Sequence, residues 1–207
     1  IDAEIISRCI GLGILYESRK YHNCVFVGKD SEGTPRYACL RGTGSRYMGE
    51  AEGSDKHYGF FLPVQGIPSQ GLSSQGMVSQ DRECVSVAVA ESPIDALSIA
   101  SIRKQQGECQ KGEAYLSLGG TAPCALLQFL ADHPSVTDIS LCLDNDSAGL
   151  SGMERIRKAI QKSLELSGRK LKIQDCPPPV SCGKDYNELL QKKLAREHGR
   201  GGGTWLL

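Results

Sequence analysis

From Val85 onward the chain repeats one rhythm, a short apolar run followed by a segment of helical period, and this rhythm restricts the fold more than any other feature. Val85 to Ala90 reads as a strand, Ile94 to Gln106 as a helix, Ala114 to Leu118 as a strand, Cys124 to Ala131 as a helix and Ile139 to Leu143 as a strand. Met153, Ile156, Ile160 and Leu164 then recur at helical spacing, Leu171 to Ile173 forms a last short strand and Tyr186 to Arg196 a last helix. Repeated strand-helix-strand units of this length predict an α/β fold, a parallel sheet with helices on both faces. Ligands in such folds bind at the carboxyl ends of the strands.

Upstream the pattern differs. Cys24 to Gly28 and Arg36 to Leu40 are β-like runs around Asp30-Ser31-Glu32-Gly33-Thr34, a hairpin signal, and Tyr58 to Leu62 is a third strand. Between the two patterns, Pro63 to Gln80 has no charged residue and echoes Ser-Gln-Gly at a five-residue interval. Such composition cannot bury enough apolar surface to offset its ordering entropy, so it reads as a linker. The expected organisation is a small α+β domain over 1–62, a linker over 63–82, the parallel α/β domain over 83–195 and a Gly-rich tail over 196–207.

The 207 residues carry 24 basic and 24 acidic side chains and 40% hydrophobic residues, which excludes wholesale disorder. No apolar run reaches the roughly 20 residues of a membrane span, so no membrane partner is expected. Nine cysteines, an odd number without any C-x-x-C pair, fit neither a zinc module nor a secreted disulfide scaffold. They read as reduced, mostly buried thiols of a cytoplasmic protein, and the opening Ile1 as the start of a piece of something longer. The balanced net charge gives no global attraction to nucleic acid, so any binding must be local.

Three carboxylates follow predicted strands: Glu91 after Val85–Ala90, and Asp144 and Asp146 after Ile139–Leu143. If the strands are parallel, all three gather at one sheet edge. Carboxylates at that density raise one another's pKa, and a divalent cation relieves the repulsion. Mg²⁺ takes one or two carboxylates plus waters and substrate phosphates, so the outline is a metal-assisted phosphoryl-transfer site. Gly119 and Gly120 allow a tight turn that lets backbone approach a phosphate. Asp95 closes a capping box with Ser92, and Asp185 has Glu188 three residues on, so each also fits a helix start.

Glu91-Ser-Pro-Ile-Asp95, Leu118-Gly-Gly-Thr121, Leu143-Asp-Asn-Asp-Ser-Ala-Gly149 and Gly183-Lys-Asp-Tyr-Asn187 occur in the order of a Toprim domain. Over roughly residues 83 to 195 the chain resembles bacterial replicative primases and primase-like proteins of plasmids and mobile elements. The first domain resembles an uncharacterised module that commonly precedes Toprim domains.

The resemblance implies a Toprim fold, Rossmann-like. It makes Glu91 a general acid/base and gives Mg²⁺, or Mn²⁺, the ligands Glu91, Asp144 and Asp146. Asp95, Asp185 and Lys184 match further catalytic positions of primases, and the Gly119-Gly120 turn is the cofactor-binding candidate. Asn187 stands where primases often carry another carboxylate, and the zinc module of replicative primases is missing. The expected activity is primase-like nucleotidyl transfer in plasmid or mobile-element DNA replication, on single-stranded DNA or RNA with nucleotides, within a larger chain or complex. Two alternatives stay open: a Toprim nuclease that hydrolyses or nicks, and a non-catalytic nucleic-acid-binding module.

Overall fold

Asp2 opens the first helix by accepting the Glu4 and Ile5 N–H groups, which starts α1 (Ala3–Gly11). Four strands follow: β1 (Leu15–Glu17), β2 (Cys24–Lys29), β3 (Pro35–Arg41) and β4 (Met48–Glu50), an antiparallel sheet in that order. The β2–β3 hairpin turns where Asp30 Oδ1 accepts from the Glu32 and Thr34 N–H groups at 3.1 and 2.8 Å. Gly33, at φ +83°, supplies the left-handed residue that this turn requires. The computed structural model describes residues 1–63, 84–107 and 112–200. The linker read over 63–82 falls almost wholly outside them, as does most of the Gly-rich tail.

The second sheet contains β5 (Phe60–Leu62), β6 (Ser86–Ala90), β7 (Glu113–Ser117), β8 (Asp138–Leu141) and β9 (Lys172–Asp175), in the order β5-β7-β6-β8-β9. The last four are mutually parallel and β5 alone runs antiparallel, against β7. Four helices accompany them: α2 (Pro93–Gln105), α3 (Cys124–Asp132), α4 (Ser147–Ser167) and α5 (Tyr186–Arg200). Among the described residues no helix is long and apolar enough to cross a membrane.

Alternation along the strands divides the core between two faces. Val87, Val89, Leu116, Ile139 and Leu141 pack with Leu126 and Phe129 of α3 and Met153, Ile156 and Ile160 of α4. Ala88, Ala90 and Tyr115 face the other way, toward Ala96, Leu97 and Ile99 of α2 and toward Phe26, Tyr37, Phe60 and Leu62. Helices thus lie on both faces as expected, and the small sheet shares one of the two cores. The strand read at 58–62 forms over 60–62, but it pairs with β7 rather than with the hairpin upstream of it.

Joining β5 to β7 needs close backbone approach. A Cβ on Gly59 would overlap the Ser117 carbonyl oxygen and lie 3.2 Å from Leu116 Cδ1. Gly59→Ala must push the two strands apart, at a cost of roughly 2 kcal/mol. Urea unfolding should show a lower midpoint at unchanged slope, whereas an unchanged midpoint would mean that this pairing contributes nothing to stability.

Candidate active site

Each acidic residue owes its position to the end of a parallel strand. Glu91 directly follows β6, Asp144 stands three residues beyond the end of β8, and the Gly119-Gly120 turn follows β7. The turns are tied together by backbone: the Gly120 N–H donates to the Glu91 carbonyl at 3.0 Å and the Leu118 N–H to the Ala90 carbonyl at 2.9 Å. Asp144 presents its N–H to Glu91 Oε1 at 3.1 Å. Asp146 is the N-cap of α4, accepting from the Gly149 N–H at 2.9 Å. That cap begins the helix six residues before Met153, the first position of the apolar repeat that reveals it in the sequence. Gly149 is also sterically required, since a Cβ there would overlap the Asp144 carbonyl oxygen and come within 2.9 Å of Glu91 Oε1.

Lys184 closes the cluster. Its Nζ lies 3.1 Å from Asp144 Oδ2 and 3.2 Å from Asp146 Oδ2, one ammonium shared by two carboxylates. Its carbonyl accepts from the Asn145 N–H at 2.7 Å, which locks the Gly183–Asp185 turn against the acidic loop. Asp185 accepts from the Glu188 N–H at 2.8 Å and Glu188 Oε2 from the Lys184 N–H at 3.0 Å, a capping arrangement at the start of α5. Asp95, 7% exposed, takes a hydrogen bond from Ser92 Oγ at 2.6 Å and another from the Asn187 N–H at 3.1 Å. It therefore ties the first turn of α2 to the first turn of α5.

The electrostatics separate the carboxylates. Burial, reinforced by the Asp144 charge, raises the Glu91 pKa, although the Asp144 N–H opposes it. Burial also raises Asp144, against the pull of Lys184. Asp146 is lowered, first by the Gly149 N–H and then by Lys184. Burial pushes Asp95 up to about 6. Lys184 is held protonated by its bonds to Asp144 and then Asp146.

A hard cation fits this donor set. The Lys184 ammonium is a positive charge already seated between the Asp144 and Asp146 oxygens, and two carboxylates with waters and phosphates suffice for Mg²⁺. Glu91 stands beside this pair, with Oε1 facing the Asp144 N–H. Among the described residues, no three His, Cys, Asp or Glu side chains form a cluster able to hold one metal ion. Asp144 and Asp146 are thus joined through a common cation, Glu91 stands beside them, and Asp95 and Asp185 serve helix starts next to them.

Sequence reasoning missed what the small sheet brings to the glycine turn. A Cβ on Gly119 would overlap the Tyr37 hydroxyl and lie 3.7 Å from Glu50 Oε1. Tyr37 donates to Glu50 at 2.9 Å, and Lys56 pairs with the same carboxylate. On the other side Arg155 donates to Thr121 Oγ1 at 2.8 Å. Two cations, Lys56 and Arg155, therefore flank the turn. No signal short of the tertiary pairing points to Lys56, whereas Arg155 lies one turn after Ser151 on a helix already read.

Comparison with known proteins agrees with this architecture. Residues 88–190 match the Toprim-like family, and residues 1–65 match a family described as protein of unknown function (DUF3991). No curated protein matches the chain in sequence. The fold is similar to the primase fragment of the bacteriophage T7 primase-helicase, at TM-score 0.59 and 16% identity over 94% of this chain and 69% of that one.

A complex of bacteriophage T7 lagging-strand DNA polymerase with primase domains bound to an RNA/DNA hybrid and dTTP gives 0.55 and 17%, over 96% and 88%. A DNA primase domain from Pseudomonas aeruginosa gives 0.52 and 17%, over 97% and 60%. At these identities the likeness is one of fold. With the motif turns at the carboxyl ends of the parallel strands and the family match over the same residues, the chain is a Toprim-domain protein built on a primase-like fold.

Proposed function

We propose that this chain carries out cation-dependent phosphodiester chemistry on nucleic acid, as a primase-like nucleotidyl transferase serving plasmid or mobile-element DNA replication. The observation that carries the reading is the pair of carboxylates, Asp144 and Asp146, closed on a single positive charge with Glu91 alongside. Those two residues would hold Mg²⁺ or Mn²⁺, which when bound neutralises charge on the transferring phosphoryl group. Glu91, whose pKa is raised by burial, is suited to move a proton to or from a reacting oxygen. A Cβ at Gly120 would meet nothing within 4 Å, so the turn leaves room for a phosphate on that side, with Lys56 and Arg155 positioned to compensate its charge. Lys184, displaced from the carboxylates, becomes available to a substrate phosphate.

Single-stranded nucleic acid and nucleotides are the substrates that fit this reading, in the cytoplasm and within a larger replication or transfer assembly. The RNA/DNA hybrid and dTTP held by the phage relative support that choice. The test is a labelled single-stranded DNA template incubated with nucleotides, with and without Mg²⁺ or Mn²⁺. Template-dependent products longer than one nucleotide support nucleotidyl transfer. Shortened template would replace it with hydrolysis by the same carboxylates, the outcome to which Asn187 inclines the site. Metal-independent binding with no product would leave a non-catalytic module.

Lys184 supplies an independent prediction. Lys184→Met removes the ammonium that competes for the two carboxylates, so calorimetric Mn²⁺ affinity should rise about two- to fivefold, the worth of a half-exposed ion pair. Weaker binding in that variant would mean that the lysine helps to shape the site rather than to fill it.

A further inference from the structure

We infer that Cys142 and Cys176 form a redox-active pair, in which a peroxide oxidises Cys176 and Cys142 then closes a disulfide across the ends of β8 and β9. The proposal stands on the strand register and does not depend on the nucleic-acid reading. Leu141 and Asp175 are the last paired residues of the two parallel strands, and the Cys176 N–H donates to the Leu141 carbonyl at 2.8 Å. Cys142 and Cys176 are the next residues on each chain, side by side and pointing to the same face, where both join the core shared with α2. Neighbouring strands are about 4.8 Å apart, inside the Cα separation that a disulfide spans.

The pair has an entry side and a resolving side. Cys142 is 2% exposed, whereas Cys176 is partly open to solvent. The Cys176 thiol is lowered to about 6, first by the neighbouring Cys142 thiol and, against burial, by the charge of Arg103. At Cys9 and Cys84 burial outweighs every lowering influence, the Arg8 charge beside Cys9 included, and pushes both up to about 11. Reactivity belongs to thiolates with some exposure, which Cys176 combines.

In the first step the Cys176 thiolate attacks one oxygen of hydrogen peroxide, the O–O bond breaks, hydroxide leaves and a sulfenic acid remains. In the second, the Cys142 sulfur displaces that hydroxyl, and the thiol proton leaves with it as water. The sum is two thiols and one peroxide giving one disulfide and two waters. The segment concerned is anchored to the acidic site at two places. The Tyr186 hydroxyl, at the head of α5, donates to the Cys176 carbonyl at 2.7 Å, and Asn145 Nδ2 donates to the Pro178 carbonyl at 3.1 Å.

The test uses the full chain, reduced and freed of reductant, then treated with equimolar hydrogen peroxide and mapped by mass spectrometry after blocking free thiols. A peptide linking Cys142 to Cys176 is expected, together with alkylation of Cys176 at pH 7 at least about tenfold faster than that of Cys124. Cys142→Ser should abolish the link and leave a dimedone-trappable sulfenic acid on Cys176. Should that core substitution fail to fold, Cys176→Ser, at the more open position, must by itself abolish the link. A disulfide mapped elsewhere, or Cys176 oxidised no faster than Cys124, would overturn the proposal.

Discussion

Replacing Asp144 with Asn is expected to lower Mg²⁺ affinity by at least about tenfold and to reduce any phosphodiester chemistry by roughly two to three orders of magnitude, with the fold retained. The size of the effect follows from where the carboxylates stand. The Asp144 side chain is 14% exposed against 36% for Asp146, so water screens its charge less and a cation interacts with it more strongly. Asp146 also commits an oxygen to the N-terminus of α4, which an amide oxygen in Asp146→Asn can still supply. The Asp146 variant should therefore lose less affinity than the Asp144 variant. Stability should change little at Asp144, because the lost ion pair with a half-exposed lysine is worth about 1 kcal/mol or less. Calorimetry of Mn²⁺ binding and thermal unfolding on the same samples separate the two quantities. Undiminished affinity in Asp144→Asn would sink the assignment of this carboxylate to the cation.

The second large effect concerns Asp95 and appears as pH-dependent stability. Its folded pKa, about 6, lies above its ordinary 3.8, so the folded chain binds the proton more tightly than the unfolded chain. The resulting stabilisation is complete below about pH 4 and lost as pH rises through 6, beyond which the buried charge is a constant burden. Asp95→Asn removes that burden. Its amide oxygen can still accept from the Asn187 N–H, and its amide nitrogen can donate to Ser92 Oγ in place of the bond that hydroxyl now donates. At pH 7.5 the variant should be more stable by roughly 3 kcal/mol, the advantage growing between pH 4 and 6 and flat above. Urea titrations across that range would show it. An equal or less stable variant at pH 7.5 would mean that the charge is compensated. A gap narrowed by Mg²⁺ would place Asp95 within the field of the cation.

How much of this could be read beforehand depends on how far apart in the chain the cooperating residues lie. Strands β6 and β7 are buried on both faces, and β8 with the residues just after it buries Ile139, Leu141, Cys142 and Leu143, so all three announce themselves as apolar runs, and the turns after them carry motifs whose order survives any error of one or two residues. Short elements carry little signal: β1 and β4 have three residues each, and α1 has nine, with Ile5, Ile6 and Cys9 as the apolar positions behind the Asp2 cap. Proximity of Glu91, Asp144 and Asp146 was legible because a parallel sheet brings its strand ends together. The seat of Lys184 was not, since it depends on the Asn145 N–H meeting a carbonyl 39 residues further along. Likewise Tyr37, Glu50 and Lys56 reach the glycine turn only through the shared core.

The pairing of Phe60–Leu62 with β7 has a consequence for inheritance and dissection of the protein. A polypeptide begun at Cys84 would contain every acidic motif, yet would leave the outer backbone groups of β7 bare, an open flank that invites self-association. The smallest autonomous folding unit that holds the acidic motifs therefore includes the strand that precedes the 64–83 segment, and the upstream module cannot be exchanged as a cassette at that junction without carrying its last strand along.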